Sequence, residues 1–378
     1  MKLFHLSDLH LGKSLHEFSL LEDQEHILKV VLGIADAEQP RAVLIAGDVF
    51  DRTVAPTEAL RLFDDFLDGL ARRGAEVFVI SGNHDSADRL AFGARLMDGS
   101  GVHISRAYDG KIEPFILSDE HGEAAFYLLP FLKPVQARKF HPDAEIEDWT
   151  DAVRAVIANM DIDGNRRNIL LCHQFVTGAA TCESEELSVG GADNVDADAF
   201  APFDYVALGH LHGKQHIGRE TLRYCGTPLK YSFSESGHVK SLTVVELGGK
   251  GDVAVREIPL AAKRDMREIR GKYMEITARE YYRGQNTDDY LRVTLTDEDD
   301  QPDAVSKLRV IYPKLMRLDY DNKRSRAAGL VEGVADAGSQ APIQLFETLF
   351  EEQNGRPLSD VQRDFMNGLI AEVWEGGQ

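Results

Sequence analysis

Phe4-His5-Leu6-Ser7-Asp8-Leu9-His10 is the segment that decides the fold, because it joins a short apolar run to an Asp-x-His pair. Four later segments repeat this arrangement, each placing carboxylate, amide or imidazole side chains where an apolar run ends. They are Gly47-Asp48-Val49-Phe50-Asp51, Gly82-Asn83-His84-Asp85, Cys172-His173-Gln174 and Gly209-His210-Leu211-His212. One such segment has little specificity, but five in series predict a site for two divalent cations in a hydrolase.

The first 270 residues begin with an alternation of strand and helix patterns. Apolar runs at residues 4–6, 42–46 and 76–81 are separated by amphipathic segments at 23–37 and 58–72. This order indicates a mainly parallel, buried sheet covered by helices. After about residue 100 strand patterns dominate, which predicts a second sheet packed on the first. We therefore expect an α/β fold, a two-sheet sandwich flanked by helices, over residues 1–270.

The rest of the chain divides into three predicted parts. Residues 271–320 contain strand patterns at 273–277, 290–296 and 315–320 and a helix pattern at 304–311, which predicts a small α/β capping domain. Residues 321–340 have the composition of a linker. Residues 341–378 contain two amphipathic segments, at 342–353 and 358–374, which predict a C-terminal helical pair.

Composition sets limits on the class of protein. The chain has 378 residues, of which 43% are hydrophobic and 28% charged, as in globular proteins. No apolar run is long enough to span a bilayer, and cleavage of a leader at the first apolar run would remove Asp8. The three cysteines are scattered, which suits reduced thiols. We therefore expect a cytoplasmic protein that does not bind membranes.

The net charge of −21 weighs against a chain that binds nucleic acid unaided. Phosphate contacts usually require a basic surface, because counterion release supplies much of the affinity. Bound divalent cations or a partner subunit would reduce this conflict. A hydrolase that acts on small molecules would not need such a basic surface.

The chemistry of the five segments suggests how two cations would be shared. Asp48 is the expected bridging carboxylate. The first cation is assigned, besides Asp48, to Asp8, His10 and His212. The second is assigned, besides Asp48, to Asn83, His173 and His210. Mixed nitrogen and oxygen donors suit manganese, iron or zinc better than calcium or magnesium.

His84 is expected to act on the substrate rather than on the metals. It directly follows a predicted ligand, so its side chain should point away from Asn83. Asp51 would accept a hydrogen bond from the Nδ1–H of His84 and favour an imidazolium, which either stabilises the transition state or protonates the leaving oxygen. Arg52 is interpreted either as a phosphate contact or as a surface ion pair. Asp85 either orients His84 or shapes a turn.

The order D-x-H, G-D, G-N-H-D, H and G-H-x-H resembles the motif series of the calcineurin-like metallophosphoesterases. Within that superfamily, further segments resemble the nuclease subunits of bacterial SbcCD complexes. These segments are Ser188-Val189-Gly190-Gly191, Gly226-Thr227-Pro228-Leu229-Lys230-Tyr231-Ser232-Phe233 and the stretch 265–271. The run Gly47-Asp48-Val49-Phe50-Asp51-Arg52 looks closer to protein phosphatases, so the proton-transfer scheme transfers less directly than the metal ligands do.

The resemblance implies a manganese-dependent DNA nuclease, with double-strand exonuclease and single-strand or hairpin endonuclease activity in DNA repair, recombination and replication. It also implies a homodimer through helices of the nuclease domain, for which residues 23–37 and 58–72 are both candidates. An SbcC-type ATPase with a long coiled coil would complete a heterotetramer, with the two tail helices docked at the base of the coiled coil.

Two other functions stay open at this point. One is a small phosphodiesterase or phosphatase acting on nucleotides or phosphoproteins, which fits the acidic charge but gives the capping domain and tail no purpose. The other is a scaffold that has lost its metals. Such a scaffold would normally lack ligands, and none of the expected ligands is missing from the sequence.

Overall fold

The computed structural model describes residues 1–182, 185, 193–299, 301–323 and 357–375, together with positions 343, 346, 347 and 350. The chain forms two compact units, Met1–Met266 and Arg267–Gln378. The predicted finer division into domains at 270, 320 and 340 stays a prediction.

The first sheet has six strands and contains the opening segment. Their spatial order is Val253–Pro259, Ser241–Leu247, Lys2–Leu6, Ala42–Ala46, Glu76–Ile80 and Val102–Ile104. The last four pair in parallel, and the first two are antiparallel additions at one edge. The strands that lead into the first three of the five segments therefore end at the same side of the sheet.

The second sheet also has six strands. Their spatial order is Gln215–Ile217, Arg219–Tyr224, Tyr205–Gly209, Arg167–His173, Gly122–Leu129 and Phe115–Asp119. The four central strands are parallel, whereas both edge strands are antiparallel. Two short strand pairs complete the unit, Ser14–Leu15 with Phe18–Ser19 and Phe175–Val176 with Asn194–Val195.

The two sheets pack face to face on a shared apolar core. Phe78 of the first sheet stacks on Phe126 of the second, with ring centroids 4.7 Å apart and planes within 13° of parallel. Both side chains are fully buried in a cluster that draws residues from both sheets. The predicted α/β two-sheet sandwich is confirmed.

Helices cover the sandwich. The predicted segments 23–37 and 58–72 form Leu21–Glu38 and Thr57–Ala71, which pack against each other. Trp149–Ala158, which the sequence pattern did not reveal, covers the second sheet with Val153 and Val156. The shorter helical elements are Ala87–Leu90, Ala94–Met97, Asp98–Ser100, Pro134–Phe140, Ala197–Phe200 and Phe233–Glu235.

The second unit is built around a three-stranded sheet. Its strands are ordered Met266–Gly271, Tyr290–Leu295 and Leu315–Tyr320, and its helices are Tyr273–Ile276, Arg279–Tyr282, Ala304–Ile311 and Asp360–Glu375. Helix Ala304–Ile311 closes the core of the sheet with Leu308.

One prediction in this unit is wrong: residues 273–277 form a helical turn rather than a strand. The Asp297 carboxylate accepts a hydrogen bond from the Tyr273 backbone N–H at 2.7 Å, which satisfies a donor at the start of the turn. At its end the Thr277 hydroxyl donates to the Tyr273 carbonyl, also at 2.7 Å. The edge strand is instead Met266–Gly271, within the stretch 265–271 that carries part of the family resemblance.

The C-terminal segment is described in part. The predicted helix 358–374 is observed as Asp360–Glu375. Most of the predicted linker 321–340 and of the predicted helix 342–353 lies outside the described residues. Within the residues that the structure describes, no helix is long and apolar enough to cross a membrane.

The core contact between the sheets yields a test of the sandwich. We expect Phe126→Ala to destabilise the first unit by about 3–5 kcal/mol, because it removes a ring and leaves a cavity between the sheets. Phe92→Ala is the matched control, since the Phe92 side chain is 87% exposed and its loss should cost at most about 0.5 kcal/mol. Urea-induced unfolding measures both values. Equal shifts in the two variants would contradict this account of the core.

Candidate metal centre

Five strand ends deliver the predicted residues to one place. Asp8, Asp48 and Asn83 follow strands of the first sheet, whereas His173 ends a strand of the second and His210 follows another. Because parallel strands end at the same edge, and because the two sheets are stacked, these side chains meet although they are distant in sequence.

The backbones of the two sheets approach closely at the centre of this site. The Nδ1 of His173, from the second sheet, lies 2.8 Å from the carbonyl oxygen of Ala46, from the first. A Cβ added at Gly47 would lie 2.3 Å from His173 Nδ1, and one at Gly209 would lie 1.8 Å from the Ala46 carbonyl oxygen. Gly47 also has φ +88°. Only glycine permits this approach.

Several candidate ligands have strained backbones. Asp8, His10, Asp48 and His210 have positive φ angles of 52°, 44°, 47° and 105°. Residues with side chains seldom adopt this region, and such strain concentrates at functional sites. The local bend expected between Asp8 and His10 therefore takes the form of two left-handed residues on either side of Leu9.

The first group of donors consists of Asp8, His10 and His212, whose potential ligand atoms all lie within 4.8 Å of one another. The Nε2 atoms of His10 and His212 face each other at 3.2 Å. The backbone N–H of His210 donates to both carboxylate oxygens of Asp8, at 3.1 and 3.2 Å, and fixes its orientation.

The second group of donors surrounds the side-chain oxygen of Asn83. This oxygen lies 3.0 Å from His173 Nε2 and 3.0 Å from His210 Nδ1. The Ala46 carbonyl can only accept, so Nδ1 of His173 carries a proton and Nε2 is the nitrogen that can bind a cation. An amide oxygen and two imidazoles that converge in this way could supply part of the coordination shell of a cation.

Asp48 stands between the two groups. Its Oδ2 lies 3.4 Å from His173 Nε2 and 3.8 Å from His10 Nε2. Its Oδ1 accepts a hydrogen bond of 2.9 Å from the backbone N–H of His84. Asp48 also joins Asp8 and His173 in a second set of close donor atoms. A carboxylate in this position can serve as the bridge between two cations.

The electrostatics of the site favour a cation. Burial, opposed by His173, raises the pKa of Asp8 to about 6. Burial alone would lower the pKa of His173, but Asp48 and Asp8 raise it to about 9. Burial lowers the pKa of His10 well below its usual range and that of His210 to about 3, which keeps both imidazoles in the neutral form that binds metals.

The residues present therefore fit a divalent metal centre. Asp8 and Asp48 are almost completely buried, and a buried pair of carboxylates requires positive charge nearby. The Nδ1 of His10 is also buried without a hydrogen-bond partner among the described residues. The assignment of each ligand to one of two cations stays a prediction.

His84 lies beside the site, with one ring nitrogen fixed. Its Nδ1 is 3.1 Å from the backbone carbonyl oxygen of Asp51, and its Nε2 is 3.9 Å from Asp48 Oδ2. The expectation that the Asp51 carboxylate accepts from His84 was wrong. That carboxylate accepts a hydrogen bond of 2.6 Å from Lys13 and lies 3.7 Å from His10 Nδ1. Lys13 holds the carboxylate away, so only the carbonyl of Asp51 reaches His84.

The two residues whose roles the sequence left open now have distinct surroundings. Arg52 is 79% exposed at its side chain and lies 3.7 Å from the Asp51 carboxylate. The carboxylate of Asp85 accepts hydrogen bonds from the backbone N–H groups of Val49, Phe50 and Gly82, at 2.9–3.1 Å. Asp85 therefore shapes the loops that carry Asp48 and Asn83 and makes no hydrogen bond to His84.

Sequence reasoning missed Glu235, a fully buried acid behind the first group of donors. Its carboxylate lies 3.3 Å from His212 Nδ1 and accepts a hydrogen bond of 2.6 Å from Lys240. Burial would raise the pKa of Glu235, but His212 and Lys240 lower it to about 2. The anion fixes the His212 tautomer and leaves its Nε2, which faces His10, available to bind a cation. An acid in a short helical turn has no sequence pattern that reveals this contact.

Two protein-family profiles together match most of the chain. The sequence profile of the calcineurin-like phosphoesterases matches residues 1–214. A second profile, described as the type 5 capsule protein repressor C-terminal domain, matches residues 262–354.

Comparison with individual proteins gives two curated relatives of the same description. The SbcD subunit of nuclease SbcCD from Staphylococcus epidermidis is 30% identical, and the match covers 99% of both chains. The SbcD subunit of nuclease SbcCD from Staphylococcus saprophyticus is 33% identical over 84% of both chains.

Two solved structures were also matched. A dimetal phosphatase from Danio rerio is 12% identical, with a TM-score of 0.40, and the match covers 69% of this chain and 96% of that one. The phosphoesterase Yfce from E. coli is 14% identical, with a TM-score of 0.28, over 65% and 88% of the two chains. From the profile match and the curated relatives together, the chain belongs to the calcineurin-like phosphoesterases and, among them, to the family of the SbcD subunits of nuclease SbcCD.

Proposed function

We propose that the chain is a metal-dependent DNA nuclease, a double-strand exonuclease and single-strand or hairpin endonuclease that works in DNA repair and recombination. The observation that carries this proposal is the convergence of all seven predicted ligands, six of them buried, on one edge of the sandwich. A scaffold protein that had lost its metals would not need to keep these ligands together. The names of the relatives support nuclease activity over other phosphodiester chemistry.

Two divalent cations would supply positive charge for the oxygens of the phosphodiester and activate a water as nucleophile. The chain's own residues would do the rest. His84 keeps a proton on Nδ1, because that atom faces a carbonyl oxygen. Its Nε2 is then the nitrogen that can take up and release a proton, and it would donate one to the leaving oxygen. Asp51 acts as a positioning residue through its carbonyl.

Manganese is the metal that we infer for this site. The donor set combines four imidazoles with carboxylate and amide oxygens, which is harder than a thiolate site and richer in nitrogen than a calcium or magnesium site. Iron and zinc have similar preferences. Metal analysis of the purified protein decides among the three.

The second candidate function is a phosphodiesterase or phosphatase that acts on small phosphate esters. The net charge of −21 favours it, because such a substrate needs no extended basic surface. The match of the relatives over nearly the whole chain, including the C-terminal unit, favours the nuclease.

The C-terminal helix is the segment that we propose for docking to an SbcC-type ATPase in a heterotetramer. In Asp360–Glu375 the side chains of Val361, Phe365 and Leu369 are all exposed. A spacing of four residues places them on one face of a helix, which suits insertion into an apolar groove. A coiled coil offers such a groove at its base. The cytoplasmic location, which DNA and this partner would require, stays a prediction.

Of the two helices considered for homodimerisation, the exposed apolar side chains favour Thr57–Ala71. Leu60 of this helix is 49% exposed. Helix Leu21–Glu38, all of which is described, exposes no large apolar side chain. We propose that Leu60 is buried in the dimer.

The nuclease proposal is tested with hairpin DNA and manganese, with and without an SbcC-type partner. We expect cleavage with manganese, none with a chelator, and capture of the partner by the full chain. A chain that ends at residue 322 should cleave single strands but fail to capture the partner. Turnover of small phosphodiesters without DNA cleavage in either condition would instead support the second candidate function.

His84 and Asp48 are predicted to have separable roles. We expect Asp48→Ala to lose at least one cation per chain. We expect His84→Ala to keep its metal content but to lose about 100- to 10,000-fold in nuclease rate, because proton transfer is removed. Elemental analysis and cleavage rates measure both effects, with the exposed His121→Ala as control. His84 lies within ligand distance of His10 and Asp48, so parallel loss of metal and activity in His84→Ala would identify it as a ligand.

The dimer proposal predicts that Leu60→Asp converts the protein to a monomer, because a carboxylate would be buried without a partner. Val135→Asp is the matched control, on helix Pro134–Phe140, where Val135 is 65% exposed. Sedimentation velocity measures the mass of each. A dimer that persists in Leu60→Asp would exclude this helix from the interface.

A further inference from the structure

A cavity of about 260 Å³ opens beside the second group of donors. Asn83 and His210 line it on the side of these donors, Lys133, Gln174 and Asp193 also line it, and three aromatic side chains complete the lining. They are Phe131, Trp149 and Phe175. Its volume lies just below the roughly 300–1,000 Å³ of pockets for small molecules, so it suits a fragment such as one planar base and excludes a duplex.

The three aromatic rings are only half-buried, so part of each ring is open to contact with a ligand. Phe131 and Trp149 have ring centroids 5.7 Å apart with planes tilted by 45°. Phe175 lies on the other side, edge-on to the His210 ring at 6.5 Å. All three keep intermediate exposure, unlike the fully buried rings of the sandwich core. Aromatic faces beside a nucleic-acid path are the usual platforms for unpaired bases.

The side-chain amide of Gln174 is buried next to these rings, and its oxygen is available to accept a hydrogen bond. Gln174 lines the cavity and is 1% exposed. Its Nε2 donates to the Leu132 carbonyl at 2.9 Å, but its Oε1 is buried with no hydrogen-bond partner among the described residues. A buried acceptor without a donor raises the free energy of the pocket when no ligand is bound. A ring N–H or amino group of a nucleobase would satisfy it.

Lys133 adds a positive charge at the same cavity. Its side chain is exposed, and no acidic group of the described residues pairs with it. An ammonium in this position would contact a backbone phosphate next to the base. A purely apolar ligand would leave both Lys133 and Gln174 without a role, whereas a nucleotide uses both together with the rings.

We propose that this cavity binds one unstacked nucleobase of the DNA strand, adjacent to the phosphodiester that is cut. The inference rests on the proposed nuclease function and deepens it by naming single-stranded or frayed DNA as the form that enters. Stacking on Trp149 and Phe131 would hold the base, and Gln174 would accept a hydrogen bond from it. A base inside a duplex could not reach the rings without leaving its pair.

Binding is tested first, by the fluorescence of Trp149. Trp374→Phe leaves Trp149 as the single tryptophan of the full-length chain. We expect pentathymidylate to quench its fluorescence and a base-free deoxyribose-phosphate pentamer to leave it unchanged, because only a base can stack on the indole. Equal effects of the two strands, or no effect of either, overturn the proposal whether or not the protein cuts DNA.

Cleavage provides the second test. The two substrates are normal DNA and DNA that lacks the base next to the cut bond, on one side or the other. Loss of that base should lower kcat/KM of the parent chain by about 5- to 150-fold, as expected for one lost stacking contact. Trp149→Leu should cut normal DNA more slowly and so narrow the difference between the two substrates, although Phe131 and Gln174 remain, and Trp149→Phe should restore the difference. Phe92→Leu is the matched control, and unchanged metal content shows that Trp149→Leu keeps the site intact.

The two proposals fail in different ways. If the parent chain cuts base-free and normal DNA equally fast, the base pocket is wrong and the nuclease function stands. If no DNA is cut under any condition but pentathymidylate still quenches Trp149, the base pocket stands and the nuclease function is wrong. A base effect that is as large in Trp149→Leu as in the parent chain overturns the assignment of the pocket.

Discussion

The close crossing of the two sheets at Ala46, His173 and Gly209 is the constraint on which the rest of the structure depends. The His173 Nδ1–H donates to the Ala46 carbonyl and thereby ties a strand of one sheet to a strand of the other. The approach requires glycine at 47 and at 209, since a Cβ at either would collide with this contact. Because the strands end where they cross, the residues that follow them must share one buried volume.

That shared volume explains why the fold and the chemistry are inseparable. Asp8 and Asp48 are carried to its centre, away from water, where two carboxylates repel and lack solvation. The surrounding imidazoles cannot all offset this charge as cations, since burial holds His10 and His210 neutral. Bound metal would supply the missing positive charge, so metal binding should also stabilise the folded state.

Much of this architecture could be predicted from the sequence, and the exceptions share a physical cause. Strand ends and metal-binding side chains are local in sequence, so Asp8, Asp48 and Asn83 could be identified from their own segments. The role of Glu235 depends on His212 and Lys240, and the turn at 273–277 depends on Asp297; such partners are set only by tertiary packing. Likewise, the Asp51 carboxylate was misassigned because Lys13 competes for it.

The same packing bears on how a chain with a net charge of −21 would handle DNA. Repulsion between acidic groups and phosphates would act over the whole surface, but bound cations, Lys133 and aromatic rings would act at short range at the strand ends. Stacking on Trp149 involves no net charge, so it escapes this repulsion and is not weakened by salt as phosphate contacts are. An acidic nuclease built in this way would hold a strand at the cut and leave grip on the remaining duplex to its partner.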